Sequence, residues 1–236
     1  MLVSNEGHTL MKKVCTENQS IKQIAFNEGC TACVVLITED SIYCANAGDS
    51  RAVIGTKTGD VVELSFDHKP DNENEKKRIQ AAGSNVSGGR VDGSLAVSRA
   101  IGDWEFKNEA LLARLQQQTV NRTPIMKKNY PGQGATYRDL EQAKNFAVSS
   151  FPEVVKVPLK DEYTFVLNAC DGIWDCYSNQ EAVTKVFTAY GKLLKKKGDF
   201  KLSKIVEGLM NNALATDGFS AIGTDNMTCI LVQFKQ

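Results

Sequence analysis

The stretch "TACVVLITEDSIYCANAGDSRAVIGTKTGDVVELSF", residues 31–66, decides the fold class of this chain. It holds four runs rich in apolar and β-branched residues, separated by short polar turns, at 31–38, 41–47, 51–56 and 61–66. None of the turns is long enough to contain a crossover helix, so the successive strands are expected to be antiparallel. The stretch therefore excludes a doubly wound parallel sheet in this part of the chain.

On both sides of this stretch the sequence alternates between helical and strand periodicity. Apolar spacing predicts helices over 9–26, over 70–83, from Ser178 to about Tyr190, and in a segment that ends near Gly218. Further strands are predicted at 153–157, 163–170 and 227–234. Runs of strands with segregated helices predict packed sheets that are flanked by helices.

Local signals predict where the helices begin and end. Asn72 with Glu75, and Ser178 with Glu181, have the spacing of capping boxes, and Gly83 is placed to follow the last turn of its helix.

Composition narrows the class of protein. The chain has 236 residues and no formal net charge, and it shows no sustained basic face, which argues against a nucleic-acid partner. A chain of this length is often one domain, and a single domain over 1–236 is predicted. No signal peptide or membrane-length apolar run is present, so we expect a soluble, cytoplasmic protein without a membrane partner.

The seven cysteines do not form a metal-binding pattern. The pair Cys30 and Cys33 is a lone CxxC with no second pair at zinc spacing. Cys44, Cys170 and Cys229 lie with Cys33 in apolar runs, which is typical of small buried side chains in a reducing compartment.

Three carboxylates share one context, the end of an apolar strand. Asp49 lies between two strands, Asp171 directly follows the run "TFVLNAC", and Asp225 precedes the last strand. Asp175 follows Asp171 by one helical turn. Clustered carboxylates repel one another, and a hard divalent cation such as Mg²⁺ or Mn²⁺ removes that cost.

Glycines accompany these acids. Gly48 precedes Asp49 and Gly172 follows Asp171, which allows sharp turns and leaves room for a ligand. The alternative interpretation is that Asp and Gly occur here only because both residue types favour turns. Spacing alone leaves both interpretations open.

Six segments then occur in an order that is similar to one known family: "GCTACVVLI", "YCANAGDSRAV", "DHKPDNENEKKRIQAAGSNV", "RVDGSLAVSRAIGD", "ACDGIWD" and "GTDNMTCILV". They resemble the successive motifs of the metal-dependent serine/threonine protein phosphatases, the type 2C (PPM) family. The resemblance covers most of 29–106 and 151–234. It implies an α+β fold, a layered β-sandwich of two antiparallel sheets flanked by helices.

The resemblance also implies an activity and its site. Members hydrolyse phosphoserine or phosphothreonine in a phosphoprotein substrate with water activated by two Mg²⁺ or Mn²⁺ ions, and no phosphoenzyme forms. By motif, Asp171 and Asp225 resemble ligands of the two-metal site, and Asp49 and Asp175 resemble ligands of a weaker third metal. Gly172 belongs to the same tight turn as Asp171.

Other positions are assigned supporting roles by the resemblance. Ile173 and Trp174 are expected to anchor the turn in the core, and the region 70–100 resembles a flap beside the cleft. Arg99 and Asp103 are expected to brace the structure rather than take part in the chemistry. His68 has a convenient pKa for a general acid, but its position in the family is structural.

This sequence departs from the family pattern in two places. The N-terminal part of the family domain, with a phosphate-binding Arg and an Asp-Gly-His-Gly turn, has no counterpart here, so Asp171 and Asp225 should hold one ion weakly rather than an ordered pair. No complete catalytic set is therefore expected in this chain alone. The segment 107–150 is longer than the usual connection and is predicted to be an insertion that gates the cleft or binds a partner.

Two functions from different classes remain. The first is a phosphatase-family domain that is inactive as this chain alone. The second is a pseudophosphatase, a binding or structural subunit that contacts an assembly partner through exposed sheet edges and the segment 107–150. The absent turn favours the second function, and the intact acids favour the first.

Overall fold

Strands and helices alternate along the chain much as the sequence patterns predict, in a computed structural model that describes residues 28–107, 144–195, 201–215 and 222–234. The strands are β1 Gly29–Cys30, β2 Ala32–Ile37, β3 Ser41–Ala47, β4 Arg51–Thr56, β5 Val61–Glu63, β6 Val86–Ser87, β7 Arg90–Val91, β8 Ile101–Gly102, β9 Glu153–Pro158, β10 Tyr163–Ala169 and β11 Cys229–Gln233. The helices are α1 Glu73–Ala81, α2 Asp171–Trp174, α3 Asn179–Lys195 and α4 Ser203–Ala213, with a 3₁₀ turn at Trp104–Phe106.

The described residues group into two compact units. The first contains 28–30, 68–107 and 144–151, and the second contains 31–67, 152–195, 201–215 and 222–234. The predicted helix at 9–26 lies outside the described residues, as does most of the predicted insertion. A single domain over the whole chain stays a prediction.

The second unit is a sandwich of two antiparallel sheets. One sheet has the strand order β2-β3-β9 and the other has the order β11-β10-β4-β5. The side chains that alternate inward from the two sheets form a shared apolar core, in which Ile42, Cys44, Ile54 and Val166 are at most 2% exposed. The predicted α+β sandwich of antiparallel sheets is therefore confirmed, and the chain crosses between the sheets at 48–50.

Helices cover the other face of the four-stranded sheet. Leu167 of β10 packs there with Val183 of α3 and with Ile205 and Leu209 of α4, in a second apolar cluster. The other face of the three-stranded sheet is different, because Val34, Leu36 and Val154 on it are 58–60% exposed. No helix in the described ranges is long and apolar enough to cross a bilayer.

The first unit is built around α1. Residues of α1 and of the hairpin β6–β7 contribute to an apolar cluster that includes Ile79, Val91, Ala100 and Val148, and β1 pairs with β8 in the same unit. The capping box predicted at the start of α1 is wrong: Asn72 is the N-cap residue, but its side chain makes no capping hydrogen bond. Glu75 points inward instead and is 4% exposed, because three donors bind its carboxylate there.

The boundaries of the other two long helices also differ from the prediction. The box of Ser178 and Glu181 does form, with Ser178 N–H donating to Glu181 Oε2 at 2.8 Å, but α3 continues to Lys195 rather than ending near Tyr190. The fourth helix ends at Ala213 rather than near Gly218, because Leu214 turns to an extended conformation and Ala215 N–H bonds the carbonyl of residue 223.

Candidate metal centre

Trp174 anchors the turn after β10 to the ends of β10 and β4. Its indole Nε1–H donates to the Ala169 carbonyl at 2.8 Å and to the Arg51 carbonyl at 3.0 Å. Ile173 beside it is fully buried. Because α2 has only four residues and begins at Asp171, these anchors hold the carboxylate of Asp171 at a fixed place on the end of the strand. The expected anchoring role of Ile173 and Trp174 agrees with these contacts.

Gly172 lets this turn lie against the loop that carries Asp225. A Cβ at Gly172 would overlap the Asn226 carbonyl oxygen, so no larger residue fits without moving the loop. Each acid also accepts a hydrogen bond from the next residue's N–H: Gly172 to Asp171 Oδ1 at 2.9 Å, and Asn226 to Asp225 Oδ1 at 2.7 Å. These bonds fix the rotation of both carboxylates.

Asp49 reaches the same end of the sandwich from the crossing between β3 and β4. Its side chain is 4% exposed. Gly48 before it has a φ of +128°, and a Cβ there would also overlap the side chain of Thr31. Only glycine satisfies both conditions, so Gly48 sets the path of the backbone that delivers Asp49.

The electrostatics of Asp171 show that the acids influence one another. Burial raises the pKa of the Asp171 carboxyl, and the negative charges of Asp49, Asp225 and Asp175 raise it further, against a smaller lowering by the Gly172 N–H. The structure thus brings together the four acids that the sequence singled out closely enough to interact. Carboxylates that raise the pKa of a neighbour in this way favour a bound cation.

One arginine lies near the acids, but another carboxylate holds it. Arg51 donates from Nε and Nη2 to the two oxygens of Asp67 at 2.8 and 2.7 Å, and from Nη1 to Asn179 Oδ1 at 2.7 Å. Its guanidinium also lies 5.1 Å from the centroid of the Trp174 ring. Asp67 raises the pKa of Arg51 most, and Asp175 adds a smaller electrostatic contribution. This pairing could not be predicted from local pattern, because 16 residues separate Arg51 from Asp67.

The donor set has the chemistry of a hard divalent cation, since Mg²⁺ and Mn²⁺ prefer carboxylate oxygens. In the described part of the chain, however, no group of three or more His, Cys, Asp or Glu side chains is arranged to hold a metal ion. The residues therefore fit the expected type of metal, while the described acids do not form a complete three-ligand site by themselves.

The supporting residues of the first unit have structural contacts. Arg99 donates from Nη2 to Glu75 Oε1 at 2.6 Å and from Nη1 to the Phe151 carbonyl at 3.1 Å. Asp103 is 6% exposed and begins the 3₁₀ turn, and burial raises the pKa of its carboxyl. His68 is 3% exposed, and its carbonyl accepts from Ser98 N–H at 3.0 Å. The side-chain contacts of Arg99 agree with its expected bracing role, whereas the roles of Asp103 and His68 stay predictions.

Comparison with known proteins identifies the family. The sequence profile of protein phosphatase 2C matches residues 5–218. The chain is 42% identical over 207 residues to protein phosphatase 2C homolog 2 of Hypocrea jecorina, covering 87% of this chain and 39% of that protein. It is 43% identical over 209 residues to homolog 3 of Schizosaccharomyces pombe, covering 88% and 42% respectively.

A solved structure agrees with this result. A phosphatase crystal structure from Toxoplasma gondii superposes with a TM-score of 0.57 at 25% identity, covering 83% of this chain and 50% of that one. The chain spans about two fifths of the length of the two curated relatives. With the profile match over most of its length, the chain belongs to the protein phosphatase 2C family.

Proposed function

We propose that this chain supplies the metal-binding part of a protein serine/threonine phosphatase that depends on Mg²⁺ or Mn²⁺. Membership of a generally metal-dependent family supports the reaction class. The observation that carries the proposal is the convergence of Asp49, Asp175 and Asp225 on Asp171, which raises the pKa of the Asp171 carboxyl beyond the effect of burial. The substrate would be phosphoserine or phosphothreonine in a protein.

Asp171 and Asp225 are the residues that would hold the first divalent cation. Their Oδ1 atoms are oriented by neighbouring N–H groups, so little ordering is needed when a cation binds. Asp49 and Asp175 would contribute to a second, weaker position. When bound, the cation lowers the pKa of a water molecule and neutralises charge on the phosphoryl oxygens. Gly172 and Gly48 allow the close backbone approaches that place these acids, because a Cβ at either position would overlap a neighbouring residue.

We further propose that this chain alone does not hydrolyse phosphoproteins. Its 236 residues contain no Asp-Gly-His-Gly segment. The described acids also lack a three-ligand arrangement. All six cysteines of the described residues are free, which suits the reducing cytoplasm that we propose as the location.

The test measures Mn²⁺ binding and phosphothreonine-peptide hydrolysis by the chain, with Asp171→Asn as the matched variant. The expected result is weak Mn²⁺ binding that Asp171→Asn removes, with hydrolysis no faster than in the variant. Hydrolysis by the wild-type chain that is absent in Asp171→Asn would show that this chain completes its own site. The absence of any Mn²⁺ binding would contradict the proposed metal role.

The second candidate is a pseudophosphatase that binds an assembly partner. The exposure of Val34, Leu36 and Val154 on one face of the three-stranded sheet favours this function, since contiguous exposed apolar surface is typical of contact sites. The segment 107–150 is the other proposed contact. Mn²⁺ binding that depends on Asp171 would favour the phosphatase, because a pure binding subunit has no need of the ion.

A further inference from the structure

Cys170 occupies the N-cap position of α2, but its side chain is not used as a cap. It makes no hydrogen bond to the first turn of the helix, although residues at N-caps commonly do so. Its Sγ instead accepts from the Thr228 N–H at 3.1 Å and donates to the Asn226 carbonyl at 3.4 Å. The backbone N–H of Cys170 bonds the Thr228 carbonyl at 3.1 Å as well.

These contacts join the two loops that carry the acids. Asp171 follows Cys170 directly, and Asp225 directly precedes Asn226. The regular pairing of β10 with β11 ends at Ala169 opposite Cys229, so strand hydrogen bonds do not extend to the acids. Beyond that point the thiol supplies two connections between the loops, in addition to the backbone bond from Cys170 to Thr228, and Gly172 lies close to Asn226 beside them.

We propose that the Cys170 thiol is a positioning residue that sets the separation of the Asp171 and Asp225 carboxylates. It touches neither substrate nor cation and acts through the backbone of residues 226–228. The inference rests on the proposed function in that the two acids are taken to bind a divalent cation. Groups that orient metal ligands in this way commonly contribute about 10- to 100-fold to metal affinity.

The experiment separates the hydrogen bonds of the thiol from its volume. Cys170→Ser keeps a donor and an acceptor, Cys170→Val keeps apolar bulk without either, and Cys170→Ala is the alternative if the valine variant does not fold. Cys229→Val is the matched control, a cysteine on the paired strand that packs against the apolar core. Calorimetry measures Mn²⁺ affinity, and hydrogen–deuterium exchange without metal reports the Thr228 amide.

The expected result is an affinity about tenfold weaker in Cys170→Val, within about threefold of wild type in Cys170→Ser, and unchanged in Cys229→Val. The Thr228 amide should exchange faster in Cys170→Val than in Cys170→Ser. Wild-type affinity and exchange in Cys170→Val would overturn the proposal, as would equal losses in the serine and valine variants. If wild type binds no Mn²⁺, the proposed metal site fails, and the exchange pattern alone decides whether the thiol joins the loops.

Discussion

Glu75 and Asp171 both lie in the first turn of a helix, but the charges around their carboxylates have opposite sign. Burial works against the charged form of Glu75, but Arg99, Ser98 and Arg78 outweigh it and lower the pKa of this carboxyl to about 2. Burial raises the pKa of Asp171, and the charges of three other acids add to that increase. One carboxylate is neutralised by the protein, and the other is left for something else to neutralise.

The difference separates a structural charge from one that we propose to be functional. Glu75 binds Arg99 and Arg78 at 2.6 Å each, so it has no remaining demand for a cation. Arg51, whose charge interacts with Asp175, is paired with Asp67. A carboxylate whose pKa is raised by neighbouring acids is a better candidate for function than a carboxylate that is fully paired.

The largest expected effect on stability comes from removing the charge of Glu75, the carboxylate that arginines neutralise. Glu75→Gln keeps the volume but leaves two partly buried arginines without their buried charge partner, and it should lower the free energy of unfolding by about 3 kcal/mol. Urea unfolding measures the change. Glu73→Gln on the same helix is the control, because its ion pair with Lys77 is exposed and contributes at most about 0.5 kcal/mol. Equal effects of the two substitutions would remove the distinction.

Removing the charge of Asp171 should not lower the stability of the metal-free protein, in contrast to the change at Glu75. Asp171→Asn removes repulsion and keeps the Oδ1 acceptor for Gly172, so the metal-free protein should be no less stable than wild type. In Mn²⁺ at about 100 times its Kd, wild type should gain about 2.7 kcal/mol and the variant should gain none. Thermal unfolding with and without Mn²⁺ measures both effects. A large metal-free loss of stability would make Asp171 a structural residue like Glu75.

The pH dependence follows from the direction of the Glu75 shift. The folded pKa of about 2 lies below the ordinary value of 4.5, so the carboxylate contributes stability that is fully present above about pH 4.5 and is lost as the pH falls towards 2. The gap in stability between wild type and Glu75→Gln should therefore narrow by about 2 kcal/mol over that range. A constant gap between pH 6 and pH 3 would argue against the arginine contacts.

The smallest expected effect comes from the pairing of Arg51 with Asp67, which offsets the positive charge of Arg51 near the acids. Asp67→Asn leaves the charge of Arg51 uncompensated beside Asp175, and Mn²⁺ affinity should fall about threefold. Glu162→Gln makes the same change in net charge at an exposed ion pair and should leave the affinity unchanged. A similar loss in both variants would mean that net charge alone is responsible.

Much of the architecture could be predicted because it depends on local pattern. Strand periodicity placed β2, β3 and β4 within one residue of their observed ends, and the acids at strand ends could be picked out from their neighbours. The partners of Glu75 could not be predicted in this way. The spacing of a capping box is the same whether the carboxylate bonds the start of the helix or the arginines of the interior. Arg99 lies 24 residues away, and only the tertiary fold makes that contact available.

The partners of Cys170 were hidden for the same reason. The sequence places this cysteine at the end of an apolar run, where a buried thiol is the ordinary interpretation. Its hydrogen bonds go to residues 226–228, and they exist only when β11 pairs with β10 in the observed register. Which cysteine joins two loops is thus a property of strand register, which no local pattern specifies.

The pairing of Ala169 with Cys229 also has a consequence for the order of events in folding. This contact closes a loop of about 60 residues, whose described part contains three helices, so the chain pays a substantial entropic cost before Asp171 and Asp225 meet. A divalent cation bound as we propose would recognise the pair only after the sheet has closed. Metal should slow unfolding and leave the refolding rate unchanged, so that its removal would shorten the lifetime of the native state without impeding the formation of that state.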